Sequence, residues 1–404
     1  MSIIVQKFGG SSVADPEKIK NVARKAIREK QNGRQVVVVV SAMGKTTDNL
    51  LNLASQISDD PSPREIDMLL STGEQITIAL LAIAIHSLGE QAISFTGPQV
   101  GIITDNVHQK AKISKIDNKK INDALDEGKI VIVAGFQGMD VNEEITTLGR
   151  GGSDTTAVAL AAVLDAEVCD IYTDVDGVYT TDPRIVPEAK KLEKISYDEM
   201  LELASSGAKV LHSRSVEFGK KYNVPIHVRS SFNDELGTLV IKEVPEMEDI
   251  VVKGVAYNKN EAKITICGLP DKPGIAAEIF SKLANNNIVI DMIIQNTSEN
   301  GQSDLSFTVS KEDLKNAVAL TEKIKDELKA KKVTSDENIG KISIVGVGMK
   351  SHCGVASKMF SALAQENINI DMISTSEIKI SCVILEKDIE KAVKALHSTF
   401  ELEK

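Results

Sequence analysis

LGRGGSDTTAVALAA, Leu148 to Ala162, sets an arginine among glycines and runs straight into a helical pattern. Asp154 stands where it can cap the first turn, and Val158, Leu160, Ala161, Val163 and Leu164 supply a long apolar stretch. Ahead of that helix, glycines let main-chain N–H groups close on a ligand, and the helix start carries partial positive charge. The arrangement suits an anion; the plainer alternative is an ordinary Gly-rich strand-to-helix turn. Two familiar phosphate loops are excluded. Gly149-Arg150-Gly151-Gly152-Ser153-Asp154 opens like a dinucleotide fingerprint but ends on aspartate, where helix–strand packing wants Gly or Ala. Gly44-Lys45-Thr46 copies the tail of a P-loop, yet Val39 occupies the position where that loop needs its first glycine.

Around this loop, up to about residue 245, short apolar runs alternate with helical patterns. Ser2 to Val5, Gln35 to Ala42, Ala92 to Thr96, Lys129 to Ala134 and Cys169 to Thr173 read as buried strands. Pro16 to Glu29, Thr46 to Ile57, Glu65 to Ser87, Lys119 to Glu127 and Asp154 to Leu164 read as helices. Such alternation predicts an α/β fold with a mostly parallel sheet covered by helices on both faces, and ligands at the strand C-termini. At that rim stand Lys7-Phe8-Gly9-Gly10-Ser11-Ser12, Ser41-Ala42-Met43-Gly44-Lys45-Thr46-Thr47, Gly135-Phe136-Gln137-Gly138, the LGRGGSD loop, and Thr173-Asp174-Val175-Asp176-Gly177. Main-chain donors, cations and hydroxyls gathered there make a place for phosphates.

Composition narrows the function classes. The chain has 404 residues, enough for two or three domains, and its 42% hydrophobic and 26% charged content is ordinary for a globular protein. A net charge of -11 argues against nucleic acid as the main partner. The longest apolar run, Ile78 to Ile85, falls short of the roughly 20 residues that span a bilayer. Met1 to Gly10 has no apolar core of signal-peptide length, so no membrane partner and a cytoplasmic location are expected. Cys169, Cys267, Cys353 and Cys382 form no CxxC pair, and the six histidines show no HExxH spacing, His86 and His397 reading as packing residues. No Gly-x-Ser-x-Gly elbow occurs.

The C-terminal part repeats itself. Residues 274–294 and 354–374 align without gaps and are identical at twelve of twenty-one positions. Each copy follows a strand (Lys263 to Leu269, Lys341 to Val347) and precedes a further strand and helix, giving two modules of roughly 65 to 80 residues. The second copy lacks a closing strand, and Asp249 to Tyr257 is a spare one, so the two modules are expected to interleave. Glu243 to Glu248 reads as the linker.

Taken in order, KFGGSS (Lys7 to Ser12), SAMGKTT (Ser41 to Thr47), STGE (Ser71 to Glu74), TTLGRGGSDTTA (Thr146 to Ala157), YTDVDGVYTTDPR (Tyr172 to Arg184) and the paired repeats resemble the aspartate kinases, amino-acid kinases with two ACT regulatory domains. The resemblance covers nearly the whole chain and, without a homoserine dehydrogenase extension, is to the monofunctional members. It implies a catalytic domain over 1–245 and two interleaved, ferredoxin-like α+β ACT modules. The first would span 249–335, with strand 249–257 donated to the second, which would span 336–404.

The implied reaction moves the γ-phosphoryl of ATP, with Mg²⁺, to the side-chain carboxylate of L-aspartate. By the same resemblance Lys7, Asp154 and Lys209 are catalytic, with Asp154 orienting the two lysines. Arg150 and Ser153 would hold a substrate carboxylate, Glu74 the ammonium, Thr47 a carboxylate oxygen, and Phe136 would offer main-chain groups. Nucleotide contacts would come from Lys7, Phe8, Gly9, Gly10, Ser41, Thr173, Asp174, Tyr179, Arg184 and Lys209. Asp176 reads better as turn chemistry than as a site residue, Asp182 equally as either, and Lys45 as a solvated lysine; Met43 and Met68 read as core. No metal-binding side-chain motif is expected, magnesium being carried by ATP.

An effector, lysine or threonine or both, would bind Asp271, Gly274, Ala276, Asp291 and Gln295 in the first repeat. In the second repeat the matching positions are Val355, Ala356, Asn369, Ile370, Thr375, Ser376 and Glu377. Cys353 replaces the turn proline of the first repeat there, which leaves effector binding at the second copy open. The resemblance further implies a homo-oligomer through the ACT modules and allows a separate regulatory subunit starting near Met247. Two other readings stay open: another amino-acid kinase, of glutamate or acetylglutamate type, and a non-catalytic amino-acid sensor.

Overall fold

Valine- and isoleucine-rich runs build the centre of the N-terminal part, as in Gln35–Val40, where every residue after the first is buried. The structure, a computed structural model, describes residues 1–404 apart from Lys209, 243–251, 298–300, Gly348, Lys350, Ser351 and Cys353, and the side chain of Thr297. The expected linker, Met247, Cys353 and the lysine assigned to catalysis at 209 therefore lie outside the described residues.

In chain order the first part forms β1 (Ile3–Phe8), α1 (Pro16–Gln31), β2 (Gln35–Val40), α2 (Thr46–Ile57), α3 (Pro63–Ser87), β3 (Ala92–Phe95), β4 (Ile102–Thr104) and β5 (Ile113–Ile116). There follow α4 (Lys119–Asp126), β6 (Ile130–Ala134), β7 (Gln137–Met139), β8 (Ile145–Thr147), α5 (Gly152–Val163) and β9 (Val168–Thr173). The part ends with β10 (Lys194–Ser196), α6 (Tyr197–Ser205), α7 (Ser213–Tyr222), β11 (Ile226–Ser230) and β12 (Thr238–Ile241). Eight strands make one sheet in the order β10-β12-β11-β9-β1-β2-β6-β3, parallel except between β11 and β12. The expected α/β sheet is thus present. A second, four-stranded sheet, β5-β4-β7-β8, was not foreseen, and it takes in Gln137 and Gly138, which read as loop from the sequence.

Strand alternation decides what each face receives. On β1, Ile4 and Phe8 enter the core with Ile19 and Val22 of α1 and Leu81 and Ile85 of α3. Val5 and Lys7 point to the other face, where α5 packs. The strand continues through Phe8, so Lys7 is a strand residue and not part of the loop expected there. The caps on α1 follow ordinary helix chemistry. Asp15 accepts from the Lys18 N–H at 2.9 Å, Pro16 opens the helix, and Arg28 and Lys30 lie in its last turn.

The short apolar run Ile78 to Ile85 lies inside α3, which has 25 residues and an 18-residue window of mean hydropathy 1.7, long and apolar enough to cross a membrane by length and composition. Half of its apolar window is buried within the protein, however, and two carboxylates, Asp67 and Glu74, are buried along it.

The C-terminal unit comprises β13 (Gly254–Pro270), α8 (Ile275–Asn285), β14 (Ile293–Thr297), β15 (Gln302–Val309), α9 (Leu314–Leu328), β16 (Lys332–Val345), α10 (Val355–Gln365), β17 (Met372–Thr375), β18 (Lys379–Leu385) and α11 (Ile389–Thr399). Its strands form one antiparallel sheet, β14-β15-β13-β16-β18-β17. Residues 254–258 pair with 341–345 of the second repeat, while 332–336 pair with 263–267 of the first. Each repeat so completes its sheet with a strand lying before the other. One apolar core joins Ile279, Leu283, Phe307 and Ile324 of the first repeat; another joins Met359, Leu363, Cys382 and Leu396 of the second.

Ion pairs cross the same seam. Lys341 pairs with Asp291, and Lys263, its counterpart in the first repeat, pairs with Asp371, the counterpart of Asp291. The two lysines differ in depth. Lys341 has 1% of its side chain exposed and also lies 3.5 Å from the buried carboxylate of Glu261, whereas Lys263 has 21% exposed.

The second unit also takes in Tyr179–Lys190 and Ser206–Ala208, which departs from a division at residue 245. The reason lies in specific bonds. Val255 donates its N–H to the Thr180 carbonyl at 2.7 Å, and buried His397 bonds the Thr180 hydroxyl at 2.9 Å.

Candidate active site

Lys7 reaches across from β1 to the first turn of α5, where its ammonium lies 2.6 Å from Asp154 Oδ1. Both side chains are about nine-tenths buried, so the pair is shielded from screening by salt. Asp154 is therefore not the helix cap that its position suggests. Gly151 takes that place with φ 72, and the carboxylate turns toward the lysine. Only glycine fits at 151, since a Cβ there would stand 2.2 Å from His212 Cγ. Arg150, exposed, sits just before α5, so Lys7 and Arg150 flank the same helix start.

A chain of contacts leads from this pair to Glu74. Ser153, the residue before Asp154, accepts from the Ser41 hydroxyl at 3.0 Å. The next residue, Ala42, donates its N–H to Glu74 Oε1 at 3.1 Å. Glu74 is 3% exposed and its Oε2 has no hydrogen-bond partner. Burial raises its carboxyl from an ordinary 4.5 to about 7. A buried oxygen left without a donor is a place for a ligand's N–H or ammonium. Ser153 is further pressed by Gly135, where a Cβ would come within 2.8 Å of Ser153 Cβ. Phe136, with φ 70, accepts the Leu148 N–H on its carbonyl at 2.8 Å and donates its own N–H to Thr156 at 3.2 Å. Thr47 lies in the first turn of α2.

The structure brings together Lys7, Gly9, Ser41, Glu74, Phe136, Arg150, Ser153 and Asp154. Phe8 stacks on Tyr172 at 4.5 Å, pinning the two neighbouring strands whose ends carry Gly9-Gly10 and Thr173-Asp174. Thr173 donates to Asp174 at 2.9 Å, and Asp174 is exposed. Tyr179 and Arg184 belong to the second unit. There Arg184 forks onto Asp182 at 2.9 and 2.8 Å, Tyr257 donates to the same carboxylate at 3.0 Å, and the Arg184 bonds hold the Asp182 carboxyl below its usual range. Asp176 is paired with Lys191 at 3.2 Å.

Three residues at this site escape sequence reading. His212 covers Gly151, and its burial holds the imidazole below its usual pKa. Arg214 donates to the Leu148 carbonyl at 2.6 Å, and fully buried Asp67 accepts from Thr147 and Gln109. The only hint in the sequence is that Asp67 and Glu74 stand seven residues apart, on the buried stripe of an otherwise apolar helix.

The positions matched to an effector fall at the starts of α8 and α10 and along or beside the two edge strands of the C-terminal sheet, apart from Asp271, which follows the central strand β13. Gly274 (φ 96) caps α8, which carries Ala276; Gln295 lies on edge strand β14, and the Asp271 N–H bonds the Gly301 carbonyl at 3.1 Å. Asp291 is already engaged by Lys341. Val355 and Ala356 open α10, Asn369 and Ile370 precede edge strand β17, Thr375 ends it, and Ser376 and Glu377 form the turn to β18.

Comparison with known proteins points the same way. Residues 2–230 match the amino acid kinase family, and 263–329 and 342–400 each match the ACT domain. Aspartokinase 2 of Bacillus subtilis is 56% identical over 404 residues, covering 100% of this chain and 99% of that protein. Aspartokinase III of E. coli, solved with aspartate and ADP (R-state), aligns with a TM-score of 0.85 at 28% identity, covering 98% of this chain and 99% of that one. The same enzyme solved with lysine and aspartate (T-state) aligns with a TM-score of 0.75 at 29% identity, again over 98% and 99%.

Proposed function

The chain belongs to the amino acid kinase family, among the aspartate kinases with ACT domains, and we propose that it phosphorylates the side-chain carboxylate of L-aspartate with ATP at the rim around Lys7, Glu74 and Arg150. The observation that carries the choice of substrate is the buried, half-satisfied Glu74 carboxylate, which suits a free α-ammonium. An acetylated amino acid would leave that charge unanswered, which argues against the acetylglutamate alternative.

A carboxylate with a pKa near 3.9 is already ionised at neutral pH, so no general base is needed. The task is to hold two anions in line. Arg150 clamps a substrate carboxylate, and Ser153 and Thr47 add donors. A substrate carboxylate oxygen attacks the γ-phosphorus, the bond to the bridging oxygen breaks, and ADP leaves with that electron pair. Lys7, aimed by Asp154 and assisted by the Gly9 and Gly10 N–H groups, spreads its charge over the transferring group. Ser41, Thr173, Asp174 and the main chain of Phe8 would meet the nucleotide.

Magnesium would arrive on the nucleotide, supplying charge neutralisation at the phosphates. Asp174, exposed on the Thr173 loop, is a hard oxygen donor that would face such an ion. E. coli aspartokinase III solved with lysine supports an end-product effector, lysine or threonine, at the ACT sheet edges. We assign the enzyme to the cytoplasmic lysine and threonine branch, as a homo-oligomer through those modules. A hydroxamate assay comparing aspartate, glutamate and acetylglutamate tests the substrate, with aspartate expected to dominate. Lys7→Ala should lower kcat by about a hundredfold or more. Wild-type turnover in that variant would overturn the assignment of Lys7, whereas a wild-type chain that turned over none of the three substrates yet still bound effector would leave the sensor reading in its place.

A further inference from the structure

Two charged residues grip the entry to the LGRGG loop through its main chain. Asp67, on the buried face of α3, accepts the Thr147 N–H at 3.0 Å, the Thr147 hydroxyl at 2.6 Å and the Gln109 N–H at 3.1 Å, and stands 2.8 Å from His108 Nδ1. Arg214, in the first turn of α7, donates Nη1–H to the Leu148 carbonyl at 2.6 Å and Nη2–H to the Ala111 carbonyl at 3.0 Å. Ala111 in turn donates its N–H to the Thr147 carbonyl at 3.0 Å. A carboxylate and a guanidinium therefore close on the same two segments, 108–111 and 147–148. The carboxylate takes N–H groups and the guanidinium takes carbonyls, so the two bind complementary sides of the backbone.

The residue after Leu148 is a glycine, and Arg150 stands between two glycines. Such a backbone has little stiffness of its own, so its direction must come from outside. Fixing the Leu148 carbonyl fixes the peptide plane that leads into Gly149, and with it the origin of the Arg150 side chain. We propose that Asp67 and Arg214 are positioning residues that together aim Arg150 at the substrate carboxylate, and thereby set the KM for aspartate. This rests on the reading of Arg150 given above. Neither residue touches substrate in this account; each acts through the loop. Misplacing a clamp by an ångström is enough to cost up to about a hundredfold.

Steady-state kinetics of the full chain tests this, with Arg214→Met, Arg214→Lys, Thr147→Val and Arg150→Met measured against both substrates. Arg214→Met should raise the aspartate KM about tenfold or more, while the ATP KM stays within about twofold. Arg214→Lys should recover part of the loss, since an ammonium can still hold one carbonyl. Thr147→Val, which removes one bond to Asp67 at nearly constant volume, should shift the aspartate KM in the same direction by less. A joint rise of both KM values in Arg214→Met would mark a merely structural role and overturn the proposal. So would wild-type aspartate KM values in Arg214→Met and Thr147→Val alongside a raised value in Arg150→Met. An Arg150→Met enzyme with unchanged aspartate KM would instead overturn the reading of the loop.

Discussion

Glu74 offers the sharpest test of the substrate assignment. The displacement of its carboxyl from 4.5 to about 7 corresponds to about 3 kcal/mol against the ionised form, at roughly 1.4 kcal/mol per pH unit. Aspartate binding must repay that cost with its ammonium, and only an ionised Glu74 can receive it. Below pH 7 the site is increasingly protonated, so the aspartate KM should rise about tenfold for each unit the pH falls and level off above about 8. Glu74→Gln keeps the shape and removes the titration. Its aspartate KM should be high and nearly flat over the same range.

Stability of the substrate-free enzyme moves the other way. Between 4.5 and about 7 the folded state keeps a proton that the unfolded chain has released, so this group's contribution declines as pH rises through that window. Glu74→Gln should remove that decline. The assays are initial rates at varied aspartate and saturating ATP from pH 5.5 to 8.5, and urea unfolding at the two ends. Superimposable KM profiles for wild type and Glu74→Gln would refute the reasoning.

Two further perturbations follow from packing. Gly135→Ala puts a methyl 2.8 Å from Ser153 Cβ and 3.0 Å from its Cα, so the start of α5 must move; kcat/KM should fall by about a hundredfold while overpacking costs about 1–3 kcal/mol in urea unfolding, and wild-type kinetics would show that the helix start tolerates displacement. Lys341→Met strands the buried Glu261 and should destabilise by about 3–5 kcal/mol, whereas Lys263→Met, at the more exposed crossing, should cost about 1 kcal/mol or less. An equal or reversed ranking in denaturant unfolding would defeat the burial argument.

Much of this architecture is legible in residue order. The Val-rich run at Gln35–Val40 and the helix that opens at Pro16 lie where their patterns place them, because a continuous apolar run in the one and apolar spacing at Ile19, Val22, Ala23, Ala26 and Ile27 in the other agree with burial. The four-stranded sheet escapes because its strands have only three or four residues, too few to carry a period. Asp154 misleads for a different reason. A helix-start aspartate reads as a cap, but a lysine 147 positions earlier, delivered by strand alternation, competes for it and wins. Asp67 and Arg214 leave still less trace, since their partners are mostly main-chain atoms, which every residue has. Glu74 stands out only as a carboxylate in an apolar helix; its one answered oxygen is a tertiary fact.

The crossed bonds between the two C-terminal repeats bear on how such a pair can change over time. Each copy keeps its counter-ion in the other's half, so a charge lost by drift in one is felt at once by its sibling. Duplicates bound in this way cannot be pared down to a single survivor without orphaning a lysine. Yet Glu261 faces Ile339, its own counterpart, across the central strands, so the mirrored halves have already become unequal at the seam. Divergence of this kind is the raw material from which twin sensors acquire separate tastes.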